Sequence, residues 1–248
     1  MPILGNDLEQ TNLANNHYGY SHTRLDTLGA TEYTLVTISI DVSGSVSGFE
    51  DELEKGLKTS IRALKFDPRA DYMLVRVVQF NTNMTEIHGF KLLSACNESD
   101  YDGVLKVGGI TTLYDTTVNI IDATTDYGNK LYAQDYTVNG IIIVVSDGGD
   151  YGSKLGPKAV KDSLKKATTN EANGLESLRT MLVGVNVQDS SVAQYLSDFM
   201  KDVGFDQYEK ITDATPSSMA KLFGFISKSI SAQSQSLGTG GPSQSLTF

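Results

Sequence analysis

The chain has 248 residues, 40% of them hydrophobic, enough to bury a sizeable core in one large domain or one domain with tails. Its 30 acidic and 20 basic residues give a formal charge of −10, which argues against general binding to nucleic acid, whose phosphates favour basic surfaces. Its single cysteine excludes an intramolecular disulfide and a cysteine-rich zinc site.

The first 31 residues are polar and have no clear periodicity, which predicts an extension that wraps the domain or docks a partner. They lack a basic region followed by a long apolar core, so they do not form a secretory signal. The longest uninterrupted apolar run, from Ile141 to Val145, is far too short to span a bilayer. We therefore expect a cytoplasmic protein that does not bind membranes.

Strands and helices are predicted to alternate along residues 32–230. Apolar, β-branched runs indicate strands, and apolar positions that recur every three or four residues indicate helices. The predicted strands cover residues 32–40, 72–80, 85–90, 140–146, 178–187 and 208–211. The predicted helices cover residues 48–64, 113–123, 154–167, 192–203 and 217–230. Residues 231–248 are rich in Ser, Gln and Gly, which predicts a flexible or partner-ordered tail.

This alternation predicts an α/β fold with a doubly wound, mostly parallel six-stranded sheet flanked by helices. Residues 85–90 are expected to form one short antiparallel edge strand. In such sheets ligands bind beyond the carboxyl ends of strands, at the point where the strand order reverses. Asp41 follows the first predicted strand and Asp147 follows the most apolar one, so we expect both at that edge.

Three oxygen-bearing residues, Asp41, Ser43 and Ser45, form an Asp-x-Ser-x-Ser turn after the first strand. Such hard ligands suit Mg²⁺, Mn²⁺ or Ca²⁺ rather than zinc. Two further segments should converge on this turn: the glycine-rich residues 108–115, which open a helix, and residues 146–150 after the central strand. The alternative for each segment is an ordinary polar turn or a helix cap.

Together the three segments resemble the von Willebrand factor A (VWA) domain, whose metal-ion-dependent adhesion site uses three such loops in this order. The resemblance covers roughly residues 32–230, between an N-terminal extension (1–31) and the tail (231–248). It implies that Ser43 and Ser45 bind the metal directly and Asp41 directly or through water. Asp147 matches the acidic residue of the third loop, which often binds the metal through water.

The second loop departs from the family pattern. A threonine usually follows the glycines directly, whereas Ile110 intervenes here. Counting back from Leu113 favours Thr111 as the ligand, with Thr112 as the alternative. The implied cofactor is a divalent cation, Mg²⁺ in first place, with Mn²⁺ or Ca²⁺ also acceptable.

The resemblance implies binding rather than turnover, so we do not expect an enzyme. The protein supplies few charges, which leaves the cation electrophilic and one coordination position open for a Glu or Asp carboxylate from a protein partner. Residues 57–68 and 225–236 are also similar to the tellurite-resistance and stress-operon type of bacterial VWA protein. That similarity implies a stress-response or defence complex, with a kinase, phosphatase or ATPase encoded nearby as a partner.

Two other functions compete with this one. In a haloacid-dehalogenase-like phosphatase, Asp41 would be the phosphorylated nucleophile and Asp147 would help to bind Mg²⁺. That family needs a second Asp two residues after the nucleophile, where Ser43 stands, and a serine cannot act as the acid near neutral pH. In a structural subunit of a larger assembly, the same site would only stiffen the loops.

Overall fold

The computed structural model describes residues 8–14, 16–169 and 174–238. Within these residues the chain forms one eight-stranded sheet with helices packed on both faces. The strands are β1 Leu8–Thr11, β2 Tyr20–Thr23, β3 Glu32–Asp41, β4 Met73–Phe80, β5 Met84–Leu92, β6 Thr137–Ser146, β7 Ser177–Gly184 and β8 Gln207–Lys210. The helices are α1 Glu50–Leu64, α2 Leu113–Tyr132, α3 Pro157–Thr169, α4 Ser190–Val203 and α5 Pro216–Gly238.

The strand order is β1-β2-β5-β4-β3-β6-β7-β8. Parallel pairing joins β4, β3, β6, β7 and β8 in turn, while β5 runs antiparallel to β4. The predicted doubly wound, mostly parallel α/β architecture is therefore confirmed.

The two faces of the sheet bury different helices. Ile38 and Ile143 face the cluster that includes residues of α1 and α5, whereas Leu35 and Ile142 face the cluster with α2, α3 and α4. Helices cover both faces of β3 and β6, so side chains on either face of these strands are buried. Apolar residues therefore need not alternate with polar ones along them. This explains the uninterrupted apolar run of β6 and the largely apolar, β-branched run of β3.

The sheet has eight strands, two more than the sequence predicts. The additional strands, β1 and β2, come from the predicted N-terminal extension, and β2 lies parallel to β5 at His22 and Phe90. The Ser21 N–H and hydroxyl both donate hydrogen bonds to the Glu86 carboxylate on β5, the hydroxyl at 2.7 Å. The prediction that residues 85–90 are an edge strand is therefore wrong, although their antiparallel pairing with β4 is confirmed.

Helix α2 is longer than the sequence predicts. It continues past residue 123 to residue 132 because Tyr127 and Leu131 extend its buried face. No helix in the described ranges is both long and apolar enough to cross a bilayer.

Helix α5 also runs past its predicted end at residue 230 and includes residues 231–238 of the predicted tail. Ser234 on this extension is fully buried, and its hydroxyl lies 3.2 Å from the Thr34 hydroxyl on β3. This contact with the central sheet stabilises the helical conformation of a polar segment. The remaining tail, residues 239–248, lies outside the described residues.

Candidate metal centre

The candidate centre lies where two adjacent parallel strands end. Asp41 is the last residue of β3 and Ser146 is the last residue of β6. The chain passes from β3 to β4 on one side, whereas β6 lies on the other side of β3. The crevice between the ends of β3 and β6 is therefore the switch point at which doubly wound sheets bind ligands.

Both carboxylate oxygens of Asp41 have hydrogen-bond donors. The Ser43 backbone N–H donates to Oδ1 at 2.8 Å, and the Ser146 hydroxyl donates to Oδ2 at 2.7 Å. Asp41 is buried, and this burial raises its pKa, while hydrogen bonds from Ser146, Ser43 and Thr111 act in the opposite direction. These bonds fix the orientation of the carboxylate. The role of Ser146 depends on the side-by-side ends of β3 and β6, which its neighbours in the sequence do not reveal.

A chain of hydroxyls connects the first loop to the third. The Ser43 and Ser45 hydroxyl oxygens lie 3.1 Å apart, and the Ser45 hydroxyl donates to Asp147 Oδ1 at 2.9 Å. Burial and, next, the negative charge of Asp41 raise the pKa of Asp147 to about 6. A divalent cation among these oxygens would offset both effects, because it favours the charged form of each carboxyl. The donor set therefore fits a hard cation.

The site is buried on one side and open on the other. Asp41, Ser43 and Thr111 are at most 3% exposed, whereas Asp147 is partly exposed and Ser45 is exposed. A ligand from solvent would therefore approach from the side of Ser45 and Asp147.

The glycine-rich second loop is held against the first by backbone hydrogen bonds. The Gly44 N–H donates to Gly109 O at 3.1 Å, and the Gly108 N–H donates to Val42 O at 2.9 Å. Gly109 has a φ of +76°, and a Cβ there would lie 2.4 Å from Thr82 Oγ1. Only glycine fits this position, so the close approach of the two loops depends on it.

The two threonines of the second loop have different partners. The Thr112 hydroxyl donates to Asn81 O at 2.6 Å, away from Asp41, and does not cap α2. The buried Thr111 side chain lies close enough to Asp41 to lower the pKa of that carboxyl. The geometry therefore brings Thr111 together with Asp41, Ser43, Ser45 and Asp147, and leaves Thr112 outside that group.

Hydrogen bonds of Ser153, Asp150 and Asp115, none of them a predicted ligand, connect the third loop to the start of α2. Ser153 Oγ accepts hydrogen bonds from the N–H groups of Tyr114 and Asp115 and donates to Asp150. The Asp115 carboxylate accepts the Leu155 N–H at 2.8 Å. Short acidic and hydroxyl residues near a helix start are the signal that suggests such contacts.

Among the described residues, no group of three or more His, Cys, Asp or Glu side chains could hold a metal ion. A cation at the switch point would therefore depend on hydroxyl oxygens as much as on carboxylates.

No protein-family model matches the chain, and no curated protein matches it. Solved structures do match. A PilB minor pilin from Streptococcus sanguinis is 17% identical with a TM-score of 0.58, over 89% of this chain and 66% of that one. The pilus adhesin SpaC from Lactobacillus rhamnosus GG in its open conformation is 9% identical with a TM-score of 0.56, over 91% of this chain and 33% of that one.

Proximal thread matrix protein 1 from the mussel byssus is 15% identical with a TM-score of 0.54, over 80% of this chain and 46% of that one. The chain thus spans under two thirds of the length of each of these proteins. At such identities the likeness shows the α/β fold alone.

Proposed function

We propose that this chain is a VWA-type protein-interaction module that holds a divalent cation, Mg²⁺ in first place, and uses it to bind a carboxylate of a protein partner. The observation that supports the proposal is one group of oxygen-bearing side chains at the switch point of the sheet. Its members are Asp41, Ser43, Ser45, Thr111 and Asp147.

The residues of this group would have two roles: some would hold the cation on its buried side, and others would line its open side. Asp41 is fixed by two hydrogen bonds and would anchor the inner side, while the Ser43 and Thr111 hydroxyls add uncharged oxygens. Asp147 and Ser45 line the open side, where a partner's Glu or Asp would replace a water molecule. Two protein carboxylates neutralise Mg²⁺ without giving it excess negative charge, so a third carboxylate remains attractive.

This proposal is one of binding and includes no catalytic step. The phosphatase alternative lacks an acid at position 43, where the Ser43 N–H instead donates to Asp41. We expect no hydrolysis of a generic aryl phosphate in the presence of Mg²⁺. Turnover that Asp41→Asn abolishes would favour the phosphatase instead.

A binding role agrees with the description of one structural neighbour, SpaC, as a pilus adhesin. As a narrower proposal, similarity of residues 57–68 and 225–236 to the tellurite-resistance type suggests a cytoplasmic stress-response or defence complex. Its partner would be a kinase, phosphatase or ATPase encoded nearby.

If the site only stiffens a structural subunit, Asp41→Ala should lower stability and leave ligand binding untouched.

Water-proton relaxation with Mn²⁺ tests the proposal, because bound Mn²⁺ relaxes water faster only where it keeps an exchangeable water ligand. We expect an enhancement with the wild-type chain that falls when excess acetate displaces that water. Asp41→Asn should show no enhancement. Asp162→Asn, which changes an exposed carboxylate paired with Lys158 on α3, should behave as wild type. Absence of Mn²⁺ binding, or an enhancement that acetate does not change, would contradict the proposal.

A further inference from the structure

Large apolar side chains are exposed beside the candidate metal centre. Five large apolar residues are exposed in the described part of the chain, and three of them, Ile110, Tyr151 and Leu155, lie on the second and third loops. Their exposed fractions are 49%, 78% and 43%. We call these three residues the apolar rim. Single exposed apolar residues are ordinary, but a cluster beside a binding site indicates a contact surface.

Backbone contacts tie the apolar rim to the centre. Ile110 directly precedes Thr111, whose buried side chain lowers the pKa of Asp41. The carbonyl oxygen of Thr111 accepts hydrogen bonds from the N–H groups of Tyr151 and Gly152, at 3.0 and 2.9 Å. Ile110 and Tyr151 are therefore held on either side of one residue of the centre.

Gly152 brings the two loops into contact. A Cβ at this position would lie 2.8 Å from Ile110 Cδ1, so glycine allows the isoleucine side chain to lie against the third loop. Leu155 is fixed nearby, because its N–H donates to Asp115 at the start of α2. The apolar rim is thus presented by hydrogen-bonded loops, which lowers the entropy that a partner's binding would cost.

Ile110 is also where this chain departs from the pattern it resembles, since a threonine usually follows the glycines directly. The extra residue places an aliphatic side chain, half exposed, next to the proposed cation. The Ile110 side chain should therefore influence which partner carboxylate the proposed site accepts.

We infer that the apolar rim selects a partner segment in which an exposed Asp or Glu has an apolar or aromatic side chain within two positions of it. The inference rests on the proposed function. Successive Cα atoms lie about 3.8 Å apart, so a residue one or two positions from the acid reaches side chains adjacent to Thr111. The chain's net charge of −10 disfavours further acidic residues beside the first.

Selection from a random heptapeptide library displayed on phage tests the inference. The library is bound to immobilised full-length protein in Mg²⁺ and eluted with EDTA. We expect an acidic residue in the selected peptides, with an apolar or aromatic residue within two positions enriched about tenfold, as burial of one such side chain allows. The double variant Ile110→Ser/Tyr151→Ser should keep the acid and lose the apolar preference. Phe66→Ser, a control at an 84% exposed position after α1, should select as wild type.

The outcomes of the selection distinguish a failure of this inference from a failure of the proposed function. Selected peptides that contain an acid but show no apolar preference would overturn the inference and leave the proposed function standing. An apolar preference that persists in the double variant would do the same. Absence of any EDTA-eluted acidic peptides would overturn both. Thermal unfolding of each variant verifies that the substitutions, all at exposed positions, leave the fold intact.

Discussion

The Ser45 hydroxyl donates a hydrogen bond of 2.9 Å to Asp147 Oδ1, across 102 positions of sequence. It joins the loop after β3 to the loop after β6 on the open side of the candidate centre. In a protein that binds Mg²⁺, both oxygens would turn to the cation. The proposed function therefore predicts that these two residues respond to metal and to protons together.

The affinity for Mg²⁺ should rise as the pH rises through about 6, the raised pKa of Asp147, because the cation competes with the proton. Without metal, the free energy of unfolding changes in the opposite direction and falls as the pH rises. The folded chain keeps a proton that the unfolded chain, with a pKa near 3.8, has released, so ionisation of Asp147 lowers stability as the pH rises between these values.

Calorimetric titration of Mg²⁺ at about pH 5 and about pH 7.5, on either side of this pKa, measures the effect. Asp147→Asn should bind more weakly and with less pH dependence. An affinity that does not change with pH in the wild-type chain would contradict the role given to Asp147.

The two threonines of the second loop give a matched pair of variants. Thr111→Val removes a hydroxyl from the proposed ligands and should weaken Mg²⁺ binding about tenfold, the effect of one lost interaction of about 1.4 kcal/mol. Thr112→Val removes the hydrogen bond to Asn81 O and should cost about 1 kcal/mol of stability, with Mg²⁺ affinity unchanged. Calorimetry and urea unfolding distinguish them, and the reverse pattern would move the ligand to Thr112.

The sequence predicts the central strands and the candidate ligands for the same reason. The apolar runs before Asp41 and Asp147 are buried on both faces of the sheet, so their ends, and the residues that follow, can be located from composition alone. The spacing of Ser43 and Ser45 after Asp41 then places three oxygens on one turn.

The parts that sequence did not predict depend on contacts between distant segments. Strand β2 is short and lies beside β5 because Ser21 pairs with Glu86, 65 residues away. The polar end of α5 is helical where Ser234 meets Thr34, 200 residues away. Neither segment has the periodicity of a buried element, so only the folded chain reveals its place.

Glu86 should be essential for stability, because it is the ion-pair partner of the fully buried Arg76. The Arg76 Nε donates to Glu86 Oε1 at 2.6 Å, and Nη2 donates to Asn119. Glu86→Gln should lower the free energy of unfolding by about 3–5 kcal/mol, the cost of leaving a buried charge without its partner.

The exposed pair of Lys158 and Asp162 provides the control. Asp162→Asn should cost no more than about 0.5 kcal/mol, since solvent screens the pair. Urea unfolding measures both variants. Equal losses would contradict the role given to the buried ion pair of Glu86 and Arg76.

The extension of α5 should contribute to stability. A chain that ends after Ile230 loses the buried Ser234 and the hydrogen bond from Gln235 to Asp67, so it should unfold at lower urea concentration than a chain that ends after Gly238. Equal midpoints would show that residues 231–238 add nothing to the fold.

The proposed function requires that the switch point binds a divalent cation through Asp41. Calorimetric titration of Mg²⁺ into the metal-free wild-type chain and into Asp41→Asn measures this binding. Asp41→Asn keeps the size of the side chain and removes the charge. We expect saturable binding of one Mg²⁺ per chain for the wild type and none for Asp41→Asn. Absence of saturable binding to the wild type, or the same binding to both, would contradict it.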